Sequence, residues 1–283
     1  MPSPSPSSSA RAAREALAVR LMHLRMDAGL TGRELSARCG WHPAKTTRMQ
    51  KGEAAPTDAD IRAWCAACDA EDQTADLIAT ARAVDSMYMG WRRLHRNGMR
   101  RTQEDFTSLH ENAEVCRVYA SNGVPGFLQT PAYATALMQR ITDFQGTPDD
   151  VADAVAARVA RGRFLHQGNH RFVVLLEEWV LRCVIGDAQV MADQLNRLLT
   201  ALPLVSISLG VIPFSARRVI WPLEGFYMFD GQHVVVETLT AEINIRQPRE
   251  ITDYAKAFRE LGRMAVYGID ARRLIESAVR SLG

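Results

Sequence analysis

LMHLRMDAGLTGRELSARCGWHPAKTTRMQKG, running from Leu21 to Gly52, is the stretch whose reading decides the fold. Leu21 and Leu24 place an apolar stripe on a first helix, and Gly29 ends it where a positive φ is needed. Thr31 then caps a short second helix, with Glu34 three residues on as its capping-box partner. Leu35 and Cys39 fall four apart on one face of that helix, and Gly40 allows a tight turn. Pro43 suits the first turn of a third helix carrying Lys45, Thr46, Thr47, Arg48 and Lys51. Two short helices crossing at a glycine turn, the second polar and basic on its outer face, are the plan of a helix-turn-helix. Thr46 and Met49 are expected to point inward.

Outward from this stretch, residues 11–28 read as the first helix, Pro56 to Ala70 as a fourth with Thr57 as N-cap, and Gln73 to Tyr88 as a fifth. The first ten residues, MPSPSPSSSA, are Pro- and Ser-rich without an apolar core, and are expected to form a disordered tail rather than a secretory signal. At 283 residues the chain has room for two domains, and its 47% apolar content supports packed cores. The net charge of +2 argues against a general basic coat for nucleic acid, so the distribution of charge matters more. WRRLHRNGMRR, from Trp91 to Arg101, holds five Arg and no acidic residue. Two uses fit it: an extended phosphate-contacting surface or a solvated linker, taken as residues 89–103.

Five scattered Cys and no apolar run of membrane-spanning length point to a reducing cytoplasm and no membrane partner. Cys65 and Cys68 fall at helical spacing beside Ile61 and Trp64, which favours small core residues over a metal site. The second domain, residues 104–283, reads as helices 104–120, one restarting at Thr130-Pro131, 149–166 and 187–200, with strands at 171–177, 205–213, 225–230 and 233–239. Asp230-Gly231 signals a hairpin turn, and helices at 250–267 and 270–282 close the chain. The expectation is an α/β or α+β domain whose sheet is covered by helices.

The run GLTGRELSARCGWHPAKTTRMQKG resembles the helix-turn-helix of the XRE (Cro/cI-type) regulators, in the variant with Trp after the turn glycine that is common in high-GC actinobacteria. Gly32 departs from the Gln usual in that family, and Gln50 stands where Glu is more frequent. VPGFLQTPAYATALM, VAARVARGRFL, LEEWVLRCVIGD, VMADQLNRLL, VSISLGVIPF, GFYMFD and VVVETL follow in the order of the C-terminal domain of unknown function attached to XRE regulators in Streptomyces, including the WhiJ-like ones. Phe127 and Gly162 are departures within it. The resemblance implies a multidomain protein, an all-α five-helix λ-repressor-like module over 11–88 followed by the α/β domain. It also implies a DNA-binding regulator, often encoded beside a small partner protein.

DNA is therefore the expected ligand, and Thr31, Arg33, Pro43, Ala44, Lys45, Thr47, Arg48 and Lys51 the expected contacts. Lys45 is assigned a guanine edge, Ala44 a thymine methyl, Thr47 a base or phosphate, and Thr31, Arg48 and Lys51 the backbone. A pseudo-palindromic operator and a homodimer, joined mainly by the C-terminal domain, follow from the geometry of such modules. Glu178, Arg182, Trp221, Phe226 and Glu237 are the candidate lining of a ligand or partner pocket. No GxSxG, Walker A, GxGxxG or HExxH motif occurs in the sequence, so neither an enzyme nor a bound cofactor is expected. Two alternatives stand beside a partner-docking regulator: a small-molecule sensor, and an antitoxin-like protein that binds a neighbouring gene's product and represses its own operon. The expected location is the cytoplasm, on the nucleoid.

Overall fold

The computed structural model describes the backbone of residues 6–283 and the side chains of 11–283 other than Tyr88. The chain divides into two compact units, residues 1–89 and 90–283. The first holds helices α1 (Pro6–Asp27), α2 (Gly32–Arg38), α3 (Pro43–Gln50), α4 (Asp58–Ala67) and α5 (Thr74–Met87). The expected tail 1–10 fares differently in its two halves: residues 6–10 open α1, and residues 1–5 lie outside the described residues.

Leu17, Leu21, Leu35, Met49, Ile61, Trp64 and Leu77 bury together as the core of this unit, with Cys65 and Cys68 among them. Trp64 is fully buried, and its indole Nε1 donates to the Leu21 carbonyl at 3.1 Å, which ties α4 to α1. Burial raises the Cys68 thiol to about 11. Gly29 and Gly40 sit at φ 70° and 68°, where a side chain would be strained, and so set the two turns.

The second unit contains β1 (Tyr88–Gly90, at its boundary), α6 (Trp91–Leu94), α7 (Arg100–Asn112), β2 (Val115–Ala120), α8 (Pro131–Gln145), α9 (Val151–Ala160), β3 (Arg171–Glu177), α10 (Glu178–Arg182), α11 (Ala188–Ala201), β4 (Ile207–Ile212), β5 (Phe226–Phe229), β6 (His233–Glu237), β7 (Ala241–Ile245), α12 (Pro248–Met264) and α13 (Gly268–Arg280). The seven-stranded sheet has the order β1-β7-β6-β5-β2-β3-β4. β2, β3 and β4 are parallel, joined by helical crossovers, whereas β5 runs antiparallel to β2 and continues antiparallel to β6 and β7. The result is a mixed sheet with helices, an α+β domain. The β5–β6 turn has Asp230 and Gly231 both at positive φ, 50° and 66°, the conformation the Asp-Gly pair favours.

Three readings are corrected. Residues 104–120 are not one helix: α7 stops at Asn112 and VCRVYA forms β2, an interior strand between β5 and β3. β7, AEINI, went unread, although Ala241, Ile243 and Ile245 alternate inward. The basic segment 89–103 is not a solvated linker. Trp91, His95 and Met99, spaced by four, are buried in the second unit, and Arg92, Arg93, Arg96 and Asn97 between them face out. Asp150 carboxylate oxygens accept from the Met99 and Arg100 N–H groups, both at 2.8 Å, and so cap α7 from across the chain. Asp150→Ala is expected to cost about 1 kcal/mol of this unit's stability, read by urea denaturation.

His110, at the end of α7, lies among Phe106, Phe127, Phe172 and Phe229. Burial, reinforced by the positive Arg161, lowers its imidazole to about 3. Its sign is that of a group that stays neutral when folded. Below pH ~6.5 the unfolded chain takes up a proton that the folded chain refuses, so stability falls as pH drops from ~6.5 towards ~3. The slope from this one group is at most about 1.4 kcal/mol per pH unit. Denaturation of His110→Leu across that range should be flatter than wild type; an identical slope would remove His110 as its source.

Candidate nucleic-acid interface

The capping box expected at α2 is formed: Thr31 N–H donates to Glu34 Oε2 at 2.7 Å, and Thr31 Oγ1 accepts from Glu34 N–H at 3.2 Å. These hydrogen bonds to Thr31 hold the Glu34 carboxyl below its usual range. They also occupy the Thr31 amide, so only the hydroxyl proton of Thr31 is left to reach a phosphate. Ser36 on α2 and Thr46 on α3 bury a hydroxyl–hydroxyl bond of 2.7 Å where the two helices cross, and Ser36 also donates to the Gly32 carbonyl. Thr46 and Met49 point inward and are buried. Thr46→Val leaves Ser36 its bond to Gly32 and is expected to cost about 1 kcal/mol, read by thermal denaturation.

With that face buried, the opposite face of α3 is presented to solvent. Pro43, Ala44, Thr47, Arg48 and Lys51 are all exposed there, as are Thr31 and Arg33 on the α2 side. Pro43 occupies N1, and His42, the N-cap, accepts the Ala44 N–H on its Nδ1. His42 is exposed beside the expected contacts, yet its capping role was not anticipated because Asn, Asp, Ser and Thr are the usual caps. Among the described residues Arg33, Arg48 and Lys51 pair with no carboxylate, so their charge is available to a polyanion.

Lys45 is different. Its Nζ lies 2.5 Å from Asp60 Oδ1 on α4 and 4.6 Å from the centre of the Trp41 ring, and the side chain is 40% exposed against 11% for Asp60. Burial works against ionisation of Asp60, but Lys45 and the Thr57 cap outweigh it and hold the carboxyl below its usual value. This pairing competes with the expected guanine contact. Asp60→Asn separates the two roles. If Lys45 only positions α3, Asp60→Asn and Lys45→Ala should weaken DNA binding alike and each cost about 1 kcal/mol of stability. The Asp60 share of that stability is present above pH ~4 and is lost as pH falls through the depressed value. A freed Lys45 that binds DNA more tightly in Asp60→Asn would restore it as a base reader.

The second candidate set is not brought together. Glu178 accepts from Arg182 at 2.9 and 3.1 Å and from the Phe214 N–H at 2.9 Å, so its carboxylate is already used. Phe226 is core, edge-on to Tyr254 and Phe258. Trp221 is 71% exposed. Only Glu237 lines the cavity of about 580 Å³ in the second unit, which is built from residues of the VPGFLQT and VAARVAR motifs and of the basic segment. Among the described residues no group of three or more His, Cys, Asp or Glu is placed to hold a metal ion, and no helix is long and apolar enough to cross a membrane.

A buried α2–α3 crossing with a basic exposed α3 defines a helix-turn-helix protein, here joined to an α+β domain. The chain belongs to the family whose C-terminal part is described as "Domain of unknown function (DUF5753)", matched over residues 103–277. A second family model, described as "Helix-turn-helix domain", matches residues 16–78. No curated protein matches the chain. Among solved structures, the chain is similar to TrmBL2, an archaeal chromatin protein, at 14% identity and a TM-score of 0.28, covering 60% of this chain and 51% of that one. The chain thus spans about half the length of that protein, and the likeness is too slight to argue from.

Proposed function

We propose that this protein is a sequence-specific transcriptional regulator of the XRE type that binds a pseudo-palindromic operator as a homodimer. The observation that carries the reading is the α3 face, on which Ala44, Thr47, Arg48 and Lys51 are exposed while Thr46 and Met49 anchor its back. Thr47 and Ala44 meet base edges, Arg48, Lys51 and Arg33 meet phosphates, and Pro43 sets the start of the helix. Thr31 adds its hydroxyl to a phosphate, and Lys45 holds α3 through Asp60. We assign the chain no catalytic role, and place it in the cytoplasm on the nucleoid.

The C-terminal domain supplies the dimer interface and docks a small protein encoded by an adjacent gene. Phe214, Val219 and Trp221, exposed on the loop that Glu177 grips through Arg218, and Trp179 on α10 support this docking role. Light scattering at micromolar concentration should give twice the 31.5 kDa mass of one chain; a monomer would remove the dimer. Fluorescence anisotropy on selected DNA over a salt series tests the interface. Steep, sequence-dependent binding is expected, and binding without dependence on sequence would overturn the reading. An antitoxin-like role is tested by co-expression with the adjacent gene product, where the absence of a complex on size exclusion would remove it.

A further inference from the structure

The cavity of about 580 Å³ lies in the second unit, within the size range of small-molecule sites, about 300–1,000 Å³. It sits beyond the carboxyl end of β2, reached by Ala120, Asn122 and Val124. There the strand order reverses: β3 and β4 follow β2 on one side, and the chain then returns to place β5 on the other. That reversal is where open sheets leave a crevice for ligands.

Its wall carries a cation that the protein does not neutralise. Arg158 Nε donates to Gln129 Oε1 at 2.8 Å and Nη1 to Gln103 Oε1 at 3.1 Å, and Arg161, 3% exposed, donates Nη2 to the same Gln103 oxygen at 2.6 Å. Two adjacent guanidinium groups are thus held by neutral amide oxygens, and among the described residues neither forms an ion pair. Burial and the charge of Arg158 lower Arg161 to about 9, against the opposing pull of Tyr227 and Glu237. Gly126 makes room for them: a Cβ there would lie 3.0 Å from Arg161 Nη2 and 3.2 Å from Arg158 Nε. Of these two only Arg158 lines the cavity, its bonds made by Nε and Nη1, and the exposed Arg140 is the wall's other guanidinium. Glu237, the one carboxylate on the wall, is exposed.

A second group is left unsatisfied in the same wall. His95 is 4% exposed, stacks on Trp91 and holds Gln145 Oε1 with Nδ1 at 2.8 Å, but its Nε2 has no partner. With Nδ1 donating, Nε2 is an acceptor awaiting a donor. The apolar part of the wall is Trp91, Leu137, Met138 and Ile141 with Tyr133, and Phe144 is exposed; Thr102, Asn122 and Arg140 are polar members of the same wall.

We infer that this cavity is a binding site for a small amphiphilic organic acid, whose carboxylate pairs with Arg158, whose apolar body lies along Trp91 and Met138, and whose N–H or O–H group meets His95 Nε2. The site goes beyond DNA binding and partner docking, and does not depend on either.

Calorimetric titration of the full chain tests it with two probes, indole-3-propionate and octanoate, each against its primary amide. Each carboxylate is expected to bind at least tenfold more tightly than its amide. Arg158→Gln should abolish that preference, and Glu237→Gln, on an exposed residue, should tighten the carboxylates two- to threefold. His95→Phe should weaken indole-3-propionate, which carries an N–H, more than octanoate. Equal affinity for acid and amide, or no binding of either carboxylate at millimolar concentration, would overturn the inference. If Arg158→Gln fails to fold, the wild-type preference and its response to Glu237→Gln decide the matter, and an unchanged preference in Glu237→Gln counts against it.

Discussion

Arg48→Ala combined with Lys51→Ala is expected to lower operator affinity about ten- to a hundredfold and to reduce the slope of log K against log salt by about two. Both side chains are exposed on α3 and lack a carboxylate partner among the described residues, so their removal disturbs little within the fold. Each phosphate they neutralise releases condensed counterions, and losing that release flattens the salt dependence by about one per contact. Because phosphates carry no sequence information, the loss should be similar for operator and unrelated DNA. Thr47→Ala should do the opposite, leaving the slope almost unchanged and relaxing preference at one base pair at a cost of about 1–3 kcal/mol. Anisotropy titrations at several salt concentrations separate the two patterns. A double variant that binds with wild-type affinity and slope would place the docking face elsewhere.

Trp64→Ala is expected to cost about 3–5 kcal/mol, enough to leave the N-terminal unit largely unfolded near physiological temperature. The indole is fully buried in one cluster with Leu21, Leu35, Ile61 and Leu77, so its truncation leaves a large cavity. The hydrogen bond from its Nε1 to the Leu21 carbonyl is lost as well. DNA binding should disappear with the unit, since α3 is held by that core through Met49. The C-terminal unit has its own core, built around Val174, Leu176, Leu195 and Leu209, and should keep its denaturation transition. Two calorimetric transitions in wild type and one in the variant would match this; a fully folded variant that binds DNA would contradict the assigned role of the core.

How far each part could be read from the sequence followed the range of the interactions. The helix-turn-helix was legible because its signals are local: Thr31 with Glu34, Thr57 with Asp60, and glycines at the turns act within a few residues. The inward turn of Thr46 and Met49 followed from helical spacing alone. The Lys45–Asp60 pair joins residues fifteen apart on different helices, and no spacing rule announces it. In the second unit the helices α8, α9 and α11 were close to their expected places. VCRVYA reads as a continuation of the preceding helix, because Arg117 interrupts a short run whose second half, Val118 to Ala120, is buried on both faces and lacks the alternation of a half-exposed strand. The run of arginines from 92 to 101 hid the four-residue spacing of Trp91, His95 and Met99 beneath its charge. The cavity was the least legible feature. Gln103, Gln129 and Arg158 meet only after three segments fold together, and polar residues scattered over 55 positions give no periodic signal.

The account rests most heavily on α3 as a sequence-reading helix, and in vitro selection from sheared genomic DNA tests that claim most directly. Wild type and the Arg48→Ala, Lys51→Ala double variant would be compared at two salt concentrations. The account predicts a pseudo-palindromic motif recovered by wild type and depleted with the double variant. Salt-sensitive recovery by wild type without any motif, or the same motif recovered equally by the double variant, would contradict it.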